Sequence, residues 1–200
     1  MTIDEIKVKL QKNLTQKRYV HSINVMNTAV RLAEKYGADL ENAAYAGLLH
    51  DCARDISGEK LFELCLKFGI HIDEISGHQP ELLHAQLSSR LALTEYEVYN
   101  PQVLKAIEYH ITGCPGMDLL ACIVFTADYI EPGRDFPGVD IIREEAYRNI
   151  EQAMILGINI TIGYLLRKGG LLHPDTVNTL NWLISSKYIN GGQKYEKLLH

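Results

Sequence analysis

Cysteine is sparse and unpatterned. Cys52, Cys65, Cys114 and Cys122 form no C-x-x-C pair, which leaves neither a zinc ribbon nor a thioredoxin-type motif. Small buried or half-buried thiols in a reducing compartment are the expected reading. No apolar run nears the roughly 18 residues of a membrane span. Met1-Thr2-Ile3-Asp4-Glu5 lacks a basic n-region and an apolar h-region, so no signal peptide is expected, and a cytoplasmic location follows by default. Positive charge is not in excess either: 20 Lys and Arg stand against 25 Asp and Glu, a net charge of -5. A broad basic nucleic-acid surface is therefore not expected, although a few arginines and a metal can still make one pocket positive. Repeats, low-complexity tracts and linkers are missing as well.

What remains is an ordinary globular composition, 46% hydrophobic over 200 residues, enough for one domain with a real core. Helix signals recur and strand alternation is scarce. Thr2 and Glu5 form a capping box that opens a helix to about Asn13. Thr15 caps a second, whose Tyr19, Ile23, Met26, Val30 and Ala33 step by three or four until Gly37 stops it. Asp39 caps a helix from Leu40 to about Cys52 that is apolar nearly all round and so central. Further helices are predicted from Ser57 to Gly69, from Pro80 through His84, and from Asn100-Pro101 to near His110. Asp118 caps Leu119 to Glu131. The run Pro132-Gly133-Arg134-Asp135-Phe136-Pro137-Gly138 is the clearest loop. Helices from Asp140 to about Leu156, from Asn159 to Lys168, and from Pro174 to about Tyr188 follow, then a frayed tail from Gly191. The predicted class is all-α, with one domain over 1–190 and a tail over 191–200.

Six residues on or near these helices carry the chemistry: His21, the adjacent pair His50-Asp51, His84, His110 and Asp128. Neighbouring helical residues point about 100° apart, so Asp51 can offer one oxygen to each of two metal ions. Asp128 lies in an apolar helix, where a carboxylate is costly unless partnered. His21, His50, Asp51 and Asp128 suffice for one ion, and His84, His110 and a bridging Asp51 for a second. Mixed His and carboxylate ligation suits iron, manganese, zinc or nickel better than calcium or magnesium. Two ions about 3.5–4 Å apart share a water, lower its pKa and bind phosphoryl oxygens.

Each member alone has a plainer explanation. A lone histidine is more often packed or exposed than a ligand, and His71, His78, His173 and His200 are read that way. Arg54, three residues after Asp51, and Arg134, six after Asp128, can fork onto phosphate, or pair with the adjacent Asp55 and Asp135. Thr112-Gly113 can offer a hydroxyl and backbone amides to phosphate, a weak signal by itself.

The ordered pattern His … His-Asp … Asp resembles the HD-domain superfamily of metal-dependent phosphohydrolases. More specifically, the chain is similar to the YqeK family of symmetrical diadenosine tetraphosphate hydrolases. The matching stretches are RYVHSINVMNTAVRLAEKYG (18–37), AAYAGLLHDCARD (43–55), LLHAQLSSRLA (82–92), AIEYHITG (106–113) and FTADYIEPGRDFPGVDIIREEA (125–146). The chain departs from the family pattern at Arg54 and Ile111, where lysine and threonine are usual. The resemblance implies an HD-domain helical bundle with a two-metal, di-iron centre on His21, His50, Asp51, His84, His110 and Asp128. Arg54 and Arg134 then join Asp51 in the catalytic machinery, and Arg18, Arg54, Thr112, Gly113 and Arg134 are the expected substrate contacts.

The function expected on that basis is hydrolysis of diadenosine tetraphosphate to two ADP by a metal-bridging hydroxide. The alternatives are a phosphohydrolase of other nucleotides or phosphate monoesters, a nucleotide-binding sensor without turnover, and a purely structural helical module. The expected partners are a nucleotide or dinucleoside polyphosphate and, for the protein itself, a second copy in a homodimer.

Overall fold

The computed structural model describes residues 1–190. The predicted tail at 191–200 lies outside the described residues. Among the described residues eleven helices run in the order α1 (Ile3–Asn13), α2 (Gln16–Tyr36), α3 (Leu40–Leu49), α4 (Gly58–Lys67), α5 (Glu74–His78), α6 (Leu83–Glu95), α7 (Pro101–Glu108), α8 (Leu119–Ile130), α9 (Val139–Ala146), α10 (Ile150–Lys168) and α11 (Pro174–Asn190). A 3-10 turn, Pro80–Leu82, leads into α6. Among the described residues there is no strand, which bears out the all-α class, and no helix is long and apolar enough to cross a membrane.

Local signals start most of these helices. Thr2 and Glu5 make the capping box on α1, and Thr15, Asp39, Asn100 and Asp118 accept from the first-turn amides of α2, α3, α7 and α8. α8 is the central element. Its residues Leu120 to Ala127 are buried without a break, and it touches α2, α3, α7, α9 and α10. A smaller cluster of Ala53, Leu61, Cys65, Ile70, Leu83 and Leu87 seats α4 on α6.

Four predicted features differ. α3 stops at Leu49, so His50 is its cap and Asp51 begins a run of turns. The segment Glu74–His78, between two predicted helices, forms α5 because Asp73 accepts from the amides of Ile75 and Ser76. The break predicted between Leu156 and Asn159 falls earlier, at 147–149. Asn149 accepts from the Gln152 amide and starts α10, which then runs unbroken through Gly157. Gly157 is there for packing, since a Cβ would lie 3.2 Å from the Tyr129 ring. Nor does Asp140 cap α9. Gly138, at φ +96°, stands at its N-cap.

α2 and α3 form the tightest pair. Gly47 lets their backbones touch, because a Cβ on it would fall 2.8 Å from Met26 Cα and 3.2 Å from Ala29 Cβ. Both backbones are fixed by helical hydrogen bonds, so the strain of an added methyl cannot dissipate locally. Gly47→Ala is expected to lower stability by about 1–3 kcal/mol. Urea unfolding would read this as a lower midpoint with an unchanged slope, and an unshifted midpoint would refute the contact.

Candidate metal centre

Three of the four key histidines sit at helix ends and use the same anchor. His50 caps α3 and places Nδ1 2.8 Å from Gly47 O. His110, just after α7, places Nδ1 2.8 Å from Ile107 O. His84, in the first turn of α6, directs Nδ1 to Glu81 O. A carbonyl can only accept, so each Nδ1 carries a proton, which leaves Nε2 as the ring atom turned to the interior and available to a metal. His21 lies inside α2, where backbone carbonyls are already used. Its Nδ1 meets the Glu131 carboxylate at 3.0 Å instead. The rings step from His21 to His50, His110 and His84 with centroids 5.1, 4.8 and 5.2 Å apart.

Asp51, 3% exposed, lies at the focus of these rings. Its Oδ1 is 2.8 Å from His84 Nε2 and 3.6 Å from His110 Nε2. Its Oδ2 is 3.3 Å from His50 Nε2, 3.5 Å from His21 Nε2 and 2.5 Å from Arg18 Nη1. One oxygen therefore faces each histidine pair. Asp128 Oδ1 approaches His21 Nε2 at 3.1 Å and His50 Nε2 at 3.9 Å. Arg134 binds both the Asp128 carboxylate and, at 2.7 Å, its backbone carbonyl, so the partner of Arg134 is Asp128 and not Asp135.

Protonation follows the same geometry. Burial alone pushes the Asp51 carboxyl up, yet His50, His110 and His84 beside it hold it well below the usual carboxylate range. Asp128 is likewise depressed against burial by His21 and Arg134. Burial lowers His84 and favours its neutral form. In His21 burial opposes the charge, but Asp128 and Glu131 outweigh it and raise the pKa.

A divalent cation fits these residues. His84 Nε2 is buried and faces the Asp51 carboxylate outside hydrogen-bond alignment, and His21 Nε2 and His50 Nε2 stand 3.2 Å apart. The donors are all imidazole nitrogen or carboxylate oxygen, a set for a borderline transition ion. His21, His50 and Asp51 form one group that could hold an ion, Asp51, His84 and His110 another, and His50, His110 and Asp128 a third that overlaps both.

The remaining predicted residues divide. Arg18 and Arg134 line a cleft of about 680 Å³ with Lys17, His21, Asn24 and Phe136. Arg54 is half-buried, its amide donates to Asp51 O at 2.9 Å, and it lines neither this cleft nor the two cavities beside Phe136. Thr112 and Gly113 are not brought to the cleft. The Gly113 amide already donates to Tyr109 O at 2.9 Å, and Thr179 of α11 is packed so closely on Gly113 that a Cβ would meet its Cγ2 at 2.6 Å.

Two residues escaped sequence reasoning. Glu131, 3% exposed, ends α8 and accepts from Asn24 Nδ2 at 2.9 Å and from the Gly133 amide at 2.6 Å while holding His21. In sequence it is a glutamate between an apolar helix and a Pro-Gly pair, which no local signal separates from a solvated cap. Ser88 of α6, fully buried, accepts from the Ala53 amide at 3.0 Å and so fixes the turn that carries Asp51. Cys52 in that turn directs its Sγ toward Ser88 O at 3.5 Å, and burial pushes its thiol up to about 12.

The family described as HD domain matches residues 18–133, more than half of the chain. The symmetrical bis(5'-nucleosyl)-tetraphosphatase of Bacillus subtilis (strain 168) is 40% identical over 187 residues, 92% of this chain and 99% of the relative. The chain belongs to the HD domain family, in the group of the symmetrical bis(5'-nucleosyl)-tetraphosphatases. A tetraphosphatase of the same description from Staphylococcus aureus (strain NCTC 8325 / PS 47) is 35% identical over 91% of this chain and 94% of its own length. A crystal structure described as a predicted HD superfamily hydrolase involved in NAD metabolism, from Clostridium acetobutylicum, superimposes with a TM-score of 0.91. It is 43% identical, and the match covers 94% of this HD chain and 99% of that one. The HD fold and the His/Asp clusters together point to divalent metal binding.

Two outcomes follow. Glu131→Ala leaves the His21 ring without its anchor and is expected to weaken metal binding by roughly 10- to 100-fold. Metal titration reads this, and unchanged affinity in a folded variant would exclude the anchor. A metal must also displace the proton of His21, whose pKa is raised. Affinity is therefore expected to fall as pH drops through that raised value, and a flat profile across the neutral range would contradict it.

Proposed function

We propose that the protein hydrolyses diadenosine tetraphosphate to two ADP with two divalent metal ions, iron first among the candidates and manganese next. The observation that carries this reading is the two-sided Asp51, with one oxygen toward His84 and His110 and the other toward His21 and His50. Its relatives supply the substrate, since the B. subtilis protein is named a symmetrical bis(5'-nucleosyl)-tetraphosphatase and aligns over nearly its whole length. The chain is an enzyme of that hydrolase type.

His21, His50, Asp51 and Asp128 would hold one ion, and Asp51, His84 and His110 the other. When bound, such ions make water nucleophilic at neutral pH and neutralise charge on phosphoryl oxygens. Arg18 holds Asp51 through Oδ2 and so favours the carboxylate orientation that faces both pairs. Arg134 stands where the metal site meets the cleft and can share its guanidinium between Asp128 and a phosphate oxygen. Arg54 and the Thr112-Gly113 pair have no such placement, so Arg18 and Arg134 are the substrate contacts of this reading. Water adds at an inner phosphorus, one P–O bond breaks, and the two halves leave as identical ADP molecules.

Product analysis on metal-loaded protein decides the matter. Two ADP are expected, and AMP plus ATP would overturn the symmetrical cut. Asp51→Ala is expected to abolish turnover. Arg134→Ala, losing a charge-assisted contact, is expected to lower kcat/KM by about 10- to 150-fold. Comparable kcat/KM on nucleoside monophosphates would instead favour a broader phosphohydrolase.

A further inference from the structure

α10 changes character along its length. Ala153, Met154, Gly157 and Ile158 are buried in the core. Farther on, Ile160, Thr161, Tyr164 and Arg167 recur at helical spacing and face Tyr129 of α8 and the loop residues Phe136 and Pro137, enclosing a cavity of about 240 Å³. The cavity has built walls. The Tyr129 hydroxyl is hydrogen-bonded to the Thr161 hydroxyl at 2.7 Å, which fixes that ring. Gly138, at φ +96°, lets the loop close on Ile160, whose Cδ1 would lie 2.9 Å from an added Cβ. Tyr164 is 53% exposed, so its ring stands at the mouth instead of in the core.

The cavity adjoins the metal centre through shared walls. Tyr129 and Phe136 also line a space of about 230 Å³ that contains Asp128 and Arg134. Phe136 lines the larger cleft as well, together with Arg18 and His21. The Phe136 ring thus divides a polar compartment, lined by Gln16, Lys17, Arg18, Asn24 and Asp135, from an aromatic one. A polyphosphate cannot be solvated by Tyr129, Phe136, Pro137, Ile160 and Tyr164, and Arg167 is the only charge among the lining residues. A flat heterocycle, by contrast, gains stacking contact from aromatic walls and attraction from a cation at the rim.

We propose that this aromatic cavity binds one nucleobase of the dinucleoside substrate, while the other nucleoside lies in the polar cleft. A symmetrical substrate is then held by two chemically different ends of one site. The proposal rests on the hydrolase reading above and narrows it, assigning Tyr164 and Phe136 to base recognition.

Equilibrium binding of ADP and of pyrophosphate to the manganese-loaded protein tests it. Wild type is expected to bind ADP more tightly than pyrophosphate. Tyr164→Ala is expected to lose roughly 5- to 150-fold in ADP affinity, the stacking contribution of one base, with pyrophosphate affinity retained. Tyr164→Phe, which keeps the ring, is expected to match wild type. Equal wild-type affinities for the two ligands would overturn the proposal, as would a Tyr164→Ala loss shared by both or absent for ADP. A failure to cleave diadenosine tetraphosphate would sink the hydrolase reading alone, because the two binding isotherms do not depend on turnover.

Discussion

Four imidazoles and two carboxylates share one largely buried space, and the rest of the molecule is arranged around keeping them aimed inward. A neutral imidazole has one donor and one acceptor nitrogen, so fixing the donor fixes where the lone pair points. Gly47, Glu81 and Ile107 supply backbone acceptors, and Glu131 supplies the carboxylate for His21. Without those anchors each ring could flip, and the convergence on Asp51 would be lost. The helix ends matter for this reason. A carbonyl three residues back is available to His50, His84 and His110 because the chain is leaving or entering a helix there, whereas His21 in mid-helix has none and borrows from α8.

α8 ties the two halves of the site together. Its apolar body occupies the middle of the core, its last turn presents Asp128, and its cap residue Glu131 grips α2 and the following loop at once. Gly133 stands so close to that carboxylate that a Cβ would meet Oε1 at 2.9 Å. The loop is therefore not a loose connector. Its position is set by the group that orients a histidine, and it carries Arg134 and Phe136 to the two sides of the cleft.

Much of this was legible in the chain itself. Caps at Thr2, Thr15, Asp39, Asn100 and Asp118 mark helix starts because a short polar side chain there satisfies free amides, a local event. The six clustered residues could be picked out as types that bind metal, and the structure does bring them within reach of one another. Long-range partners were less visible. Glu131 looked like the last residue of an apolar helix, and nothing local distinguishes it from a solvated cap. Thr112-Gly113 had the composition of a phosphate contact, but α11, some 65 residues later in sequence, packs over it. Gly157 falls in the gap expected between Leu156 and Asn159; glycine weakens helices in general, whereas here it makes room for an aromatic ring on another helix.

The placement of Cys52 bears on which element the site retains. A thiol one residue from Asp51 is a potential soft ligand, and a thiolate there would draw the pocket toward copper or zinc. Its sulfur instead faces the Ser88 carbonyl, and burial pushes the thiol up to about 12, which favours the protonated form. The coordination sphere is thus kept to nitrogen and oxygen. Withholding sulfur leaves thiophilic ions no softer donor to prefer, and burial disfavours the thiolate through which a cysteine oxidises.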